Sequence, residues 1–415
     1  MKETTPARLT STQTNEFANL NRNHLNFGGL FNGFPITNPD KTLQTRGGGK
    51  GLEIYTEAAR DCHLSAVLEK RYLSVIRLLW EVIPASDEAI DQQAAELVRQ
   101  QLHNLAVPVS SNSTSTTLNV RGFDGVCLGL LEAIYYGYAV AEIIWQRHNQ
   151  QIIAHRIKIH DRRRFTFVAN EAGEFDLRLL TPAERIKGEA VPDRKFIVHQ
   201  YGSDDDNPWG WGLGSKVFWP VFFKRQNLQF WLTFAERYGS PLAVGKYPQG
   251  TSQDAQQVLL DALTDISQGY RVIMPKEMEI NFQTAAQNGS IATYESLCNF
   301  CNNEISKCVL GETGTTDQTG SGGSRARDSV GNEVRLEKTQ ADADILSETL
   351  NRTLARWITE YNLPAARPPR IQRVVRQAQD HEKQARVDKL LYEQGFRRSL
   401  DSITATYGEG YQLAN

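Results

Sequence analysis

No one sign of charge prevails in this 415-residue chain. Its 46 Lys and Arg stand against 48 Asp and Glu, for a formal net charge of -2. A chain that grips nucleic acid or anionic lipid over its whole surface needs a basic excess, so that class is excluded. Cysteine is sparse and odd in number, five in all. That excludes a disulfide framework and points to a reducing cytosol. The first 50 residues hold no apolar core of the kind a secretory signal carries. The best membrane candidate, Val126 to Trp145, contains Glu132 and Glu142 and is interrupted by Gly129 and Gly137. It reads instead as a buried helix ending near Gly137, then a strand from Tyr138 to Trp145 whose alternation suits a sheet. A soluble protein with no membrane partner is expected.

What is present is an ordinary globular composition, 40% hydrophobic and 23% charged, sufficient for a sizeable core. Met1 to Lys50 is different: 21 of its 50 residues are Asn, Thr or Gly. Such a segment buries too little apolar surface to offset its ordering entropy and reads as an arm that orders against a partner. From Leu64 the pattern turns helical, with Leu64, Val67, Leu68, Val75 and Leu78 on one broad face, followed by a short strand at Trp80 to Ile83. Ser86 is placed to cap a second helix carrying Ile90, Ala94, Leu97 and Gln101. Ser110 to Thr117 is a loop by composition. Gln151 to Val198 reads mostly as strands, broken at Asn170 to Gly173, Pro182 and Pro192.

The middle of the chain is aromatic. Ser215 to Tyr238 reads as a helix with eight aromatics in 24 residues, where the chain average of 9% predicts about two. They do not keep to one stripe, so cover on more than one side is expected, from a core or from another subunit. A small α/β excursion follows: strand Leu242 to Tyr247, helix Gln253 to Ile266, and strands Arg271 to Met274 and Met278 to Phe282. A second helix, Tyr294 to Leu310, then brackets it. Gly311 to Ser324 is Gly, Thr or Ser at 11 of 14 positions and has no apolar anchor. It opens into a long helix, Arg325 to Tyr361, striped by Leu346, Leu350, Leu354, Trp357 and Tyr361. That helix would run about 55 Å, with Gly331 as a candidate bend. Pro364, Pro368 and Pro369 end it, and the tail from Arg370 to Asn415 reads as helical and locally basic.

Motifs that carry chemistry are weak. Arg46 to Gly51 lacks the spacing and the Ser or Thr of a phosphate loop, and no strand precedes it. Gly210 to Lys216 has closely spaced glycines, but the last glycine of a dinucleotide fingerprint is misplaced; a tight turn feeding the aromatic helix is the better reading. Cys298, Cys301 and Cys308 lie on the apolar stripe of one helix without a fourth zinc ligand in local reach, so they read as buried small hydrophobes. Asp204, Asp205 and Asp206 lack the alternation of a calcium loop and read as a solvated turn. The eight His are scattered, and neither G-x-S-x-G nor H-E-x-x-H occurs. No catalytic residue, metal site or cofactor is expected.

Several stretches together resemble the portal proteins of Mu-like phages and prophages, over roughly Leu52 to Arg373. They are DCHLSAVLEKRYLSVIRLLWEVIP from Asp61, DRRRFTF from Asp161, RKFIVHQY from Arg194, NPWGWGLGSKVFWPVFFKR from Asn207, FAERYGSPLAVGKYP from Phe234, EISKCVLGETGTTD from Glu304 and GSRA from Gly323. The chain stops sooner after Tyr411 than that family leads one to expect, which suggests a reduced end domain.

The resemblance implies an α+β portal fold: an α/β wing, a helical stem, a small α/β clip and a long helix leading to a helical crown. Laid onto this sequence, residues 1–50 are an arm, 51–212 the wing, 213–238 a stem helix, 239–287 the clip and 288–310 the second stem helix. Residues 311–324 are a channel loop, 325–363 the long helix, and 364–415 the crown or tail. It further implies a dodecameric ring at one capsid vertex, in the virion and in host cytoplasm during assembly, serving DNA packaging and ejection. Implied partners are the major capsid protein, a terminase packaging motor, head-tail connector proteins and double-stranded DNA read without sequence specificity. Near-neutral charge suits a channel that must pass DNA without holding it. On this plan Thr315, Thr316, Gln318, Ser321, Arg325 and Arg327 face DNA, although ordinary helix-surface charge also accounts for the two arginines. Phe222, Phe223, Phe230, Trp231 and Phe234 would form the oligomer interface. The competing reading, a nuclease or NTPase of the packaging machinery, needs clustered carboxylates or an intact phosphate loop. A monomeric or dimeric DNA-binding adaptor needs a basic face.

Overall fold

The computed structural model describes residues 38–105, 121–170, 174–202, 207–239, 243–266, 271–278, 291–313, 325–374 and 381–407. The chain divides into two units, Met1–Arg373 and Val374–Asn415. Among the described residues no helix is long and apolar enough to cross a membrane.

In the first unit, helices α1 (Glu53–Ala58) and α2 (Cys62–Ile76) precede strand β1 (Trp80–Ile83) and helix α3 (Ala89–His103). Asp61 caps α2 by accepting the Leu64 N–H at 3.0 Å, and Leu64, Val67, Leu68 and Val75 turn inward as their spacing predicts. Ser86 does not cap α3. That helix starts after Glu88, whose N–H donates to Ser86 Oγ, and the Ser86 hydroxyl in turn donates to Asp91. Asp91 is buried because it also receives Arg367, at 2.9 Å. The serine therefore serves a tertiary clasp rather than the helix end.

The apolar stretch read as helix then strand is just that: helices α4 (Phe123–Leu131) and α5 (Ala133–Tyr136), a turn at Gly137, and strand β2 (Tyr138–His148). β2 is central in an antiparallel sheet of order β3-β2-β7, with β3 at Gln151–His160 and β7 at Phe196–Gln200. The β2–β3 register slips by one residue between Ile144 and Trp145, leaving His155 as a bulge. Strands β4 (Phe165–Ala169), β5 (Phe175–Leu179) and β6 (Glu189–Ala190) form a second small sheet.

Two expectations need correction here. Residues 38–50, read as part of a free arm, are tied to the chain itself: Asp40 accepts the Thr42 N–H at 2.8 Å and the Tyr55 hydroxyl. Residues 1–37 lie outside the described residues. Arg370–Arg373, read as the start of a helical tail, is strand β10, antiparallel to β1 with Trp80 opposite Arg373. The Arg373 guanidinium is buried, donates to the carbonyls of Ile76 and Leu78, and pairs with Asp124.

Helix α6 (Gly214–Gly239) leaves this core. Strand β8 (Ala243–Tyr247), helix α7 (Gln253–Ile266) and strand β9 (Arg271–Pro275) follow, with β8 and β9 parallel, and helix α8 (Ile291–Leu310) returns. Of the strand read at Met278 to Phe282, Met278 is not in a strand and residues 279–282 lie outside the described residues. Helix α9 (Arg325–Leu350) runs through a π-helical turn at Asn351–Ala355 into α10 (Arg356–Asn362). The interruption is therefore the π turn, where Asn351 pairs both its amide groups with the backbone of Ile371. Leu346, Leu350, Leu354 and Ile358 are buried in the core that α2, α4 and β2 also line.

His199 of β7 is buried in that core, its Nδ1 2.9 Å from Thr349 Oγ1. Burial, reinforced by the charge of Arg352, lowers its pKa to about 4. The folded state therefore keeps the ring neutral while the unfolded chain protonates it near pH 6.5. Stability linked to this group is present above that pH and is lost as pH falls from 6.5 to about 4, by roughly 3 kcal/mol. Chemical denaturation of His199→Asn across that window should show a correspondingly shallower loss than wild type.

The second unit holds α11 (His381–Glu393) and α12 (Leu400–Tyr407). Arg398, between them, donates to Asp388 on one helix and to Ser402 and Thr406 on the other, at 2.6, 3.0 and 2.7 Å.

Candidate functional site

The feature that stands out is the helix pair α6 and α8. Lys224 donates to Asn302 Oδ1 at 2.9 Å, Asn227 to the Tyr294 carbonyl at 2.7 Å, and Trp231 stacks on Tyr294. As the number rises on α6 it falls on α8, so the pair is antiparallel. At its base, Val217 and Val221 meet the main core together with Ile305, Val309 and Leu310.

The inner stripe of α6 consists of Val217, Val221, Lys224 and Asn227, two apolar and two polar residues. The Lys224 ammonium is held by Asp61 at 2.6 Å. Asp61 thus caps α2 and neutralises a buried cation with one carboxylate. The outer side is the apolar one: Phe223 is 52% exposed, Phe230 62% and Leu232 72%. A helix that only needed to pack in its own chain would be patterned the other way round. The expectation of cover on more than one side is met at the base of α6, where Phe218 packs against Tyr55 of α1, but not farther along it, where Phe223, Phe230 and Leu232 stay exposed. Beyond α8, the aromatic side gains Arg46, whose guanidinium lies 5.2 Å from the Trp219 ring centre and 5.9 Å from that of Phe222. Phe222, Trp231 and Phe234 are half-buried. On the other flank, Pro220, Phe223 and Phe230 of α6 face Leu297, Phe300 and Cys301 of α8 across an open groove of about 600 Å³.

The other candidate residues are dispersed. Thr315, Thr316, Gln318 and Ser321 lie outside the described residues, while Arg325 and Arg327 open helix α9. The end of α8 from which the intervening segment leaves is pinned. The Gly311 N–H donates to Lys307 O at 3.0 Å, Lys338 of α9 reaches the Cys308 carbonyl at 3.5 Å, and Arg71 donates to Val309 O at 2.8 Å. Of the three cysteines on α8, Cys301 is buried, as expected. Cys298 and Cys308 are half-buried, and Cys298 receives the Asn227 amide at 3.2 Å. Burial raises the Cys301 and Cys308 thiols. Among the described residues no group of three His, Cys, Asp or Glu could hold a metal ion. Asp204 to Asp206 are outside them.

Sequence reasoning missed one node. The buried Arg71 of α2 donates to both carboxylate oxygens of Asp342 on α9, at 2.7 and 2.9 Å, to Val309 O, and to the Tyr201 hydroxyl at 2.9 Å. Its partners lie 130 to 271 positions away, so no local pattern announces it.

A family model described as the portal protein of Mu bacteriophage matches residues 52–409. The portal protein of Escherichia phage Mu is 29% identical over 296 residues, 71% of this chain and 54% of that protein. The Mu-like prophage FluMu protein gp29 of Haemophilus influenzae is 27% identical over 327 residues, 77% of this chain and 59% of that one. The chain thus spans somewhat more than half the length of these relatives. Among solved structures, the neck of an empty GTA particle computed with C6 symmetry superposes with a TM-score of 0.59 at 10% identity, covering 90% of this chain and 95% of the other. The neck of a native GTA particle computed with C12 symmetry gives 0.54 at 11%, with the same coverage.

Proposed function

The chain belongs to the portal protein family of Mu bacteriophage, and from that premise we propose that it assembles into a ring at one capsid vertex, the channel through which DNA is packaged and ejected. The observation that carries the ring is the inverted patterning of α6, which presents aromatic side chains outward and keeps polar anchors inward. Lateral packing of copies covers such a face. Phe222, Phe223, Phe230, Trp231 and Phe234 supply that contact. Twelve copies are compatible with both fold neighbours, since a ring with C12 symmetry also contains C6 symmetry.

Within the ring, residues 51–212 serve as wing, 213–238 and 288–310 as stem, 239–287 as clip, 325–363 as the helix toward the crown and 364–415 as crown or tail. The segment 311–324, which leaves the pinned end of α8, narrows the channel. Thr315, Thr316, Gln318 and Ser321 offer exchangeable contacts to phosphate, and Arg325 and Arg327 stand just behind them. Packaging motor, capsid and connector proteins, and sequence-independent duplex DNA are the partners, at the virion's portal vertex and in host cytoplasm during assembly. Family membership leaves the nuclease or NTPase reading without support.

The test is the mass of the purified full chain by native mass spectrometry and negative-stain imaging. Wild type should give closed rings. Trp231→Glu with Phe234→Glu should shift the population to monomers with an unchanged circular dichroism spectrum. A wild type that stays monomeric at high concentration would sink the assignment.

A further inference from the structure

The groove between α6 and α8 is open along one flank and lined by Phe223, Phe230, Leu297 and Phe300, with Phe300 59% exposed. We propose that its occupant is a segment of this same chain, residues 25–36, Leu25-Asn26-Phe27-Gly28-Gly29-Leu30-Phe31-Asn32-Gly33-Phe34-Pro35-Ile36. Phe223 and Phe230 also stand among the proposed lateral contacts; the segment covers their groove-facing sides and leaves Phe222, Trp231 and Phe234 to a neighbouring copy.

Three observations point to this segment. The first is chemistry: it has Leu25, Phe27, Leu30, Phe31, Phe34 and Ile36 and no charged residue, which matches an apolar groove. Its glycines and asparagines prevent a packed core of its own, so its aromatics need a surface built elsewhere. The second is where the described chain starts. The turn following Asn38 is fixed by Asp40 and places Arg46 over Trp219 and Phe222, on the same helix whose next flank opens into the groove. The third is reach. Residues 25 to 38 extend up to about 43 Å, while the part of α6 from Trp219 to Phe230 is about 16 Å long. The cation over Trp219 thus works as an anchor that delivers the preceding residues to the neighbouring flank.

The experiment places the photo-crosslinking amino acid p-benzoylphenylalanine at position 300 of the full chain and maps the cross-linked peptides by mass spectrometry. Position 300 lies in the groove but outside the proposed lateral contacts. Cross-links should concentrate in residues 25–36. Phe27→Ser, Phe31→Ser and Phe34→Ser together should lower their yield by about tenfold or more, since a tenfold change reflects about 1.4 kcal/mol, less than one buried aromatic contributes. The oligomer mass of that variant should be unchanged. Cross-links that instead join position 300 to α6 or α8 of another copy would overturn the proposal while leaving the ring intact. Cross-links that survive the triple substitution would overturn it as well. A monomeric protein that still cross-links to residues 25–36 would refute the ring and support the groove assignment.

Discussion

Arg71→Met is expected to be among the most damaging single substitutions in the chain, costing about 3–5 kcal/mol in chemical denaturation. The guanidinium is nearly fully buried, 4% exposed, and among the described residues its compensating charge is Asp342, itself 2% exposed. Burial penalises the cation, but hydrogen bonding and charge from Asp342 outweigh it, so its pKa lies above the ordinary arginine value. Methionine fills much of the same volume yet leaves the Asp342 carboxylate and the Val309 carbonyl without their donor. A buried charge stripped of its partner is what makes such a loss large. The double variant Arg71→Met, Asp342→Leu removes both charges and should recover a substantial part of the loss. A double variant no more stable than the single one would show that the interaction with Asp342 is not the source. Arg71 holds the C-terminal end of α8, just before the 311–324 segment, and the middle of α9 on α2.

Gly210→Ala should cost about 3 kcal/mol or more, read as a drop in denaturation midpoint. Gly210 has φ +66, and a Cβ there would stand 2.3 Å from the Gly137 carbonyl oxygen and 2.6 Å from that of Tyr201. Both obstacles are backbone and cannot swing away. Gly137, at φ +98, is equally confined by Trp209 O at 2.4 Å. The two turns are stitched by Tyr201 N–H to Gly137 O and Leu213 N–H to Ile134 O, each 2.9 Å. This junction sets the direction in which α6 departs from the core. Gly250→Ala is the control: φ is +88 but nothing lies within 4 Å, so about 1 kcal/mol of backbone strain is all that is expected. Equal losses at Gly210 and Gly250 would show that conformation rather than crowding is at stake.

These two positions mark where reading the sequence reached and where it stopped. The Gly-Trp-Gly-Leu-Gly run announced a backbone that must turn tightly or be closely approached. Phosphate and a second strand of protein make the same demand on a glycine, and only the Gly137 turn opposite it distinguishes them. The inward stripe of α6 was hidden for a related reason. Lys and Asn favour solvent by residue type, and Lys224 and Asn227 turn inward because Asp61, Asn302 and the Tyr294 carbonyl meet them there.

What the sequence determined by itself is what repeats within a few residues. The helix Gln253–Ile266 and the strand Trp80–Ile83 stand where their periodicities put them. The stripe of Leu346, Leu350 and Leu354 is buried as its spacing requires, although a π turn interrupts it. The matching stretches that mark the family are likewise local strings of residues. What only the tertiary structure decided is pairing at long range. Arg370–Arg373 has the charge of a helical tail and becomes a strand because β1, some 290 positions earlier, offers an edge and Asp124 a counter-charge. The aromatic abundance of α6 was legible, but not the side on which it lies. Burial is a property of what arrives from elsewhere in the chain, and neither periodicity nor composition carries the identity of that partner.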